Sequence, residues 1–195
     1  MRPKTARFRA RWKAHQHKID PRRLIFVDET TLTLDPPLRA CWMKVGQQKR
    51  VPVNRSSEKQ TRHIFGGYHW NTDTIIWTTA RQKNTETFIV FLEELLLKQC
   101  PTDRVILVLD NVQYHKSAAA LAALSLFEER VQVLWLPPYC PELNAIERFW
   151  GYLKTQACAN HLEDHIDQVV ASAERVMTRQ NDPTAEDRYH VSKDF

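Results

Sequence analysis

The sequence predicts an α/β fold: a five-stranded mixed sheet flanked by helices. Three observations lead there. Residues 23–28 (RLIFVD), 104–110 (RVILVLD) and 131–136 (VQVLWL) are short apolar runs of the kind found in strands buried on both faces. Residues 63–68 and 74–79 are β-rich runs on either side of the turn formers Asn71, Thr72 and Asp73, which reads as a hairpin. Between the later strands the apolar residues fall at helical spacing.

Taken in order, residues 1–18 read as a charged helix or arm. Phe8 and Trp12 lie four apart on it, and Asp20-Pro21 ends it. The first strand follows. Residues 35–62 are irregular, with 40–45 and 49–53 as candidate short strands. After the hairpin, Asn84 or Thr85 caps a helix running to about Gln99, with Phe88, Phe91, Leu92, Leu95 and Leu96 on one face, and Pro101 stops it. An alanine- and leucine-rich helix covers 117–130. Pro137, Pro138 and Pro141 force an extended loop, and Asn144 then opens a helix to about residue 159. A last helix spans 165–179, and the tail beyond Pro183 is read as loosely held. Early strands joined by turns pair antiparallel, and later strands separated by helices pair parallel. The result is the ribonuclease H-like layout, divided into an arm (1–21), a main domain (22–180) and a tail (181–195).

The 195 residues are enough for one sizeable core, and 43% hydrophobic with 26% charged is a globular balance. No apolar run approaches the roughly 20 residues that span a bilayer, and the basic N-terminal stretch lacks the apolar segment of a secretory signal. A cytoplasmic protein with no membrane partner is expected. Cys41, Cys100, Cys140 and Cys158 are widely spaced and read as reduced. The net charge of +5 is unevenly spread. Residues 1–23 hold nine of the 28 Lys and Arg and one of the 23 acids, so the rest carries 19 bases against 22 acids. Such an arm suits contact with nucleic-acid phosphates, with Arg7, Arg9, Arg11 and Lys13 as candidates; it also fits a merely solvated basic helix.

Three acids stand out by position. Asp28 and Asp110 end the first two apolar strands, and Glu147 lies in the first turn of the helix after the proline loop. Strand ends of an open sheet gather at one edge, where ligands bind. Carboxylates clustered there repel one another unless a cation joins them, and their hard oxygens suit Mg²⁺ or Mn²⁺. Each acid also has a purely structural reading. Asp28 and Asp110 could end strands through Asx turns, and Asn144 with Glu147 fits a capping box. Glu29 and Glu142 are close enough in sequence to stand in for their neighbours. His161 and His165 have i, i+4 metal-ligand spacing without a third ligand or the glutamate of a zinc-peptidase motif.

The flanking residues resemble a known family. Phe26-Val27-Asp28-Glu29-Thr30 is similar to the first catalytic block of mariner-superfamily transposases, in their bacterial insertion-sequence branch. Leu109-Asp110-Asn111 with His115 is similar to the second. Leu136-Pro137-Pro138-Tyr139-Cys140-Pro141-Glu142-Leu143-Asn144-Ala145-Ile146-Glu147, followed by Arg148-Phe149-Trp150 and Lys154, is similar to the third. The likeness covers residues 22 to 160, with 36 residues between Asp110 and Glu147. Cys140 stands where serine is common, and Ala145 where proline is common.

The resemblance implies a DDE catalytic domain for cut-and-paste transposition, in which Asp28, Asp110 and Glu147 hold two Mg²⁺ (or Mn²⁺) ions. It implies phosphodiester cleavage at terminal inverted repeats, then attack of the freed 3′-hydroxyl on target DNA at a TA dinucleotide. Glu29, Asn111 and His115 are expected to shape the site. His115 would orient a carboxylate or touch phosphate, or else is a histidine bonded to backbone. Trp42, in a segment that reaches toward a partner subunit in mariner-like enzymes, and Lys154 are expected to meet DNA, and a homodimer is implied. The family's N-terminal helix-turn-helix region has no counterpart before the first strand, which implies a separate partner or missing domain. The rival readings are a ribonuclease H-like nuclease acting on RNA–DNA hybrids and a truncated, non-catalytic derivative that binds DNA or inhibits transposase.

Overall fold

The computed structural model describes residues 6, 7, 10, 20–53, 60–138 and 140–191. Five strands form one sheet: β1 (Leu24–Thr33), β2 (Thr61–His69), β3 (Thr74–Ala80), β4 (Val105–Leu109) and β5 (Val131–Trp135), in the order β3-β2-β1-β4-β5. β1 pairs antiparallel with β2 and parallel with β4; β2 pairs antiparallel with β3, and β4 pairs parallel with β5. This is the predicted mixed sheet: a short turn joins β2 to β3, a long irregular segment rather than a turn joins β1 to β2, and helices precede β4 and β5.

Helices cover both faces. α1 (Thr85–Glu93) begins at Asn84, whose side chain accepts the Thr87 N–H in a full capping box, and continues as one π-helical stretch (Glu94–Gln99). With α2 (Ala118–Ser125) it packs on Ile25, Val27, Leu107 and Leu109. α3 (Ile146–Ala157) and α4 (Ile166–Asn181) pack on the other face, against Leu24, Phe26, Ile106 and Val108. β1 thus sends alternate side chains into two separate cores, which is why its sequence reads as unbroken hydrophobicity.

One close approach fixes α3. A Cβ built on Gly66 would lie 2.4 Å from Cη2 and 2.7 Å from Cζ2 of Trp150, itself 2% exposed. Only glycine lets the indole lie against the strand. Gly66 pairs with Asp28 across the β1–β2 ladder, so this contact sets the helix beside that acid.

Several expectations need correction. β1 does not end at Asp28 but runs on to Thr33, because β2 continues to pair with it. Residues 40–45 and 49–53 form no strand; the chain there is irregular and largely exposed, with no neighbouring strand to complete a ladder. The base of this segment is held instead by Asn160, whose side chain accepts the Arg39 N–H and donates to the Arg39 carbonyl (2.8 and 2.9 Å). The helix expected over 117–130 stops at Ser125, since the chain must turn back for Val131 to enter the sheet. As far as Val191 the tail is not loose: Val191 is 3% exposed in the core, Arg188 donates to the Thr72 and Gln180 carbonyls, and the Tyr189 N–H reaches the Gln180 side chain. The four cysteines are free. Most of the N-terminal arm, including Phe8, Arg9, Arg11, Trp12 and Lys13, lies outside the described residues; Arg7 is exposed.

Gly66→Ala should destabilise the fold by about 1–3 kcal/mol, because a buried indole has no room to retreat. Chemical denaturation measures this directly, and an unchanged midpoint would mean that α3 is not seated as described.

Candidate active site

Asp28 is the fifth of ten residues in β1, but it sits where the parallel pairing with β4 stops, after Phe26–Val108. Asp110 directly follows β4. The two strands therefore release their acids at one opening. Glu147 lies exposed in the first turn of α3, across the opening. All three line one cleft of about 400 Å³, walled by Asn111, the 137–141 loop and Asn144.

Strand alternation separates Asp28 from Glu29. Asp28 faces the α3 side, as do Leu24 and Phe26, whereas Glu29 points to the α1 side, as do Ile25 and Val27. Glu29 is therefore no substitute for Asp28. Its carboxylate accepts from His115 Nε2 at 2.8 Å and from the Tyr114 hydroxyl. Glu142, exposed in the short turn before Asn144, does not line the cleft either.

His115 joins the two faces. Its ring is fully buried, 4.1 Å centroid to centroid from Phe88, and Nδ1 meets Asp110 Oδ1 at 3.0 Å. Burial alone would lower the pKa of this ring. The hydrogen bonds and charges of Asp110 and Glu29 outweigh it and push the pKa up to about 9. At neutral pH His115 is thus an imidazolium donating from both nitrogens, and of its expected roles the structure supports the orienting one. The same contact helps Asp110. Burial pushes that carboxyl up, but the His115 hydrogen bond and the Val112 N–H bring it below its ordinary value. The Val112 contact, 3.1 Å to Oδ1, is the anticipated Asx turn, so a structural and an electrostatic role coexist in one side chain.

Asp28 has the opposite environment. It is 8% exposed and its Oδ2 is buried without a partner. Burial, then the charges of Glu29, Glu147 and Asp110, push its pKa up to about 8. The capping box expected for Glu147 is absent. Asn144 is extended, and its Nδ2 donates to the Val27 carbonyl at 3.2 Å instead of capping the helix. That bond fixes the amide orientation and leaves Asn144 Oδ1 buried and unpartnered beside the cleft. Glu147 is thereby released from a structural task. Asn111 donates to the Leu136 carbonyl and accepts from Lys116, whose ammonium lies 4.7 Å from the Trp135 ring centre, so Asn111 braces the cleft wall.

The structure adds Tyr114 and Asn144 to the residues that shape the site. Tyr114 adjoins His115 in sequence, but nothing in the spacing points to a phenol against Glu29, 85 residues away. Trp42 is fully exposed and Lys154 half-buried, and neither lines the cleft. His165 caps α4, and His161 bonds to the Ala159 carbonyl and Glu163. Among the described residues no three His, Cys, Asp or Glu side chains form a ready-made metal cage.

Residues 23–170 match the family model described as DDE superfamily endonuclease. The chain belongs to the DDE superfamily endonuclease family. The domain is 29% identical over 138 residues to an insertion element IS630 uncharacterized 39 kDa protein of Shigella sonnei, covering 71% of this chain. It spans only 39% of that relative's length. Its fold matches the Mos1 transposase paired-end complex with left transposon end at a TM-score of 0.65, with 16% identity over 87% of this chain and 52% of the other. The catalytic domain of Mos1 mariner transposase matches at 0.58, with 14% identity over 87% of this chain and 76% of the other. The DDE domain thus has the ribonuclease H-like fold of that catalytic domain, as the resemblance of its sequence implies.

In metal-free protein, Asp28→Asn should stabilise the fold. A carboxyl with a folded pKa near 8 favours the folded state fully below its unfolded value of about 4, and that stability is lost as pH rises toward 8. The advantage of the variant over wild type should grow across this window, from nothing near pH 4 to on the order of 5 kcal/mol near pH 8. Denaturation in EDTA at several pH values tests it, and a pH-independent difference would contradict the buried-charge assignment.

Proposed function

We propose that this chain supplies the catalytic site of a cut-and-paste DNA transposase, cutting phosphodiesters at insertion-sequence ends and joining the freed 3′-hydroxyl to target DNA. The observation that carries the reading is the cleft that Asp28, with a buried, unpartnered oxygen, lines together with Asp110 and Glu147. The donor set fits Mg²⁺ or Mn²⁺: hard oxygens, one of them orphaned and too costly to ionise without a cation. Asp28, Asp110 and Glu147 would hold two such ions. Bound there, they supply a Lewis acid and a water of lowered pKa.

The chain's own residues set the rest. His115 keeps Asp110 ionised and fixes its Oδ1, leaving Oδ2 for the cleft. Glu29 and Tyr114 hold His115 from behind the sheet. Glu147 closes the cleft from α3. In cleavage a water oxygen bonds to phosphorus as the P–O3′ bond breaks; in strand transfer the 3′-oxygen replaces that water. No serine or tyrosine nucleophile is required.

Terminal inverted repeats and a TA target are the proposed DNA partners, supported by neighbours described as complexes with a transposon end. A homodimer is proposed because residues 38–53 project Leu38, Trp42 and Val45 into solvent at 73%, 102% and 104% exposure, a segment that would pack against a partner. A helix-turn-helix domain or partner is proposed to give end specificity. Arg7 and Lys154 remain proposed DNA contacts, as do Arg9, Arg11 and Lys13. Cytoplasmic action on DNA is proposed as well; among the described residues no helix is long and apolar enough to cross a membrane.

Supercoiled plasmid incubated with Mg²⁺ or Mn²⁺ should be nicked by wild type. Asp110→Ala should lower the rate more than roughly a hundredfold, the upper end of the cost of losing a supporting residue at a metal site. Absence of nicking by folded wild type would favour the inhibitory derivative. Preferential cutting of RNA–DNA hybrids would favour the nuclease reading.

A further inference from the structure

A second hollow, of about 370 Å³, opens at the opposite end of the sheet from the acidic cleft. It forms where the chain enters β1 at Arg22 and Arg23, where β2 ends at His69, and where β4 begins after Asp103 and Arg104. Three arginines therefore line one depression with Asp103, and a second carboxylate, Asp20, pairs with Arg22.

Their commitments are few. Arg22 pairs with Asp20 at 3.2 Å and stays 76% exposed. Arg23 uses only Nε, donating to the Arg104 carbonyl at 2.8 Å, which leaves both terminal nitrogens uncommitted among the described residues. Arg104 is exposed, and neither it nor Asp103 forms an ion pair among the described residues. His69 completes the wall. Burial lowers its pKa, and its Nδ1 is buried without a partner.

We propose that this hollow binds backbone phosphate of nucleic acid, as a docking site separate from the acidic cleft. Guanidinium forks match phosphate oxygens in pairs and shed water more readily than ammonium groups. The positions come from the ends of three strands, so the fold itself builds the cluster. A free anion would satisfy the same chemistry. Nucleic acid is favoured because the stretch with nine Lys and Arg in its 23 residues runs directly into β1 at this hollow. Arginines that meet only phosphate add affinity and register, not base preference. The site should therefore hold DNA of any sequence, and it requires no catalysis in the acidic cleft.

The test uses the full chain in EDTA and a labelled duplex, with binding followed against salt. Arg22→Ala/Arg104→Ala keeps the Arg23 bond that ties β1 to β4. It should weaken binding about tenfold and reduce the slope of log K against log salt by about one to two, roughly one unit for each phosphate no longer neutralised. Lys98→Ala/Arg175→Ala removes the same charge from the surfaces of the π-helical stretch and α4, and should change binding less than about threefold. Asp103→Asn keeps every arginine and should tighten binding, so the proposal remains open to test if the double variant does not fold. Equal affinity and slope for the two double variants would overturn the proposal, as would an Asp103→Asn variant no tighter than wild type. Inorganic phosphate that binds wild type but not Arg22→Ala/Arg104→Ala, with duplex binding unchanged, would reassign the hollow to a free anion and equally overturn it.

Discussion

The indole of Trp150 lying on the bare backbone of Gly66 is the contact on which the acidic cleft depends. A sheet of this order brings Asp28 and Asp110 together through strand pairing alone. Glu147 is on a helix, and a helix can settle on a sheet at many heights and angles. The missing Cβ at Gly66 gives the large side chain one seat, directly across the ladder from Asp28. The first turn of α3 then has to face the opening. Asn144 makes a second tie, from the turn before the helix to the Val27 carbonyl.

The electrostatics follow from which side of the sheet each acid occupies. Behind the sheet, Glu29 is matched by an imidazolium and a phenol and is fully satisfied. In the cleft, Asp28 has no counter-charge in contact among the described residues, and its buried, unpartnered oxygen makes its ionised form costly. His115 belongs to both regions, since it spends one nitrogen on Glu29 and the other on Asp110. Asp110 is therefore held ionised while Asp28 is not. Two carboxylates beside one opening, pushed in opposite directions, are the electrostatic feature on which the proposed cation site rests.

Much of this was legible in the sequence, for identifiable reasons. Short apolar runs bounded by turn signals fit strands covered on both sides, which made β1 and β4 plain, whereas β5 is an edge strand buried only at Val131 with Gln132 exposed; Asn84 announced its helix through a cap that forms as expected. The three acids drew notice because Asp28 and Asp110 close apolar runs and Glu147 opens a helix, although β1 continues past Asp28 to Thr33 because β2 goes on pairing with it. The capping box at Asn144 misled because a local pattern competes with tertiary partners, and a strand carbonyl 117 residues away took the amide instead. The roles of Tyr114 and Glu29 were hidden for the same reason: strand alternation says which face a residue takes, but not what stands behind it. The tail looked loose because its ties are mostly to backbone groups, such as the Thr72 and Gln180 carbonyls reached by Arg188, which no composition reveals.

The most direct test of the central claim is an anomalous difference map from crystals of this protein grown with Mn²⁺. The account predicts density in the cleft bonded to Asp28 Oδ2 and to Asp110, with Glu147 on the far side and His115 still spanning Asp110 and Glu29. A map with Mn²⁺ bound elsewhere and the cleft empty, its three carboxylates unmoved, would contradict it.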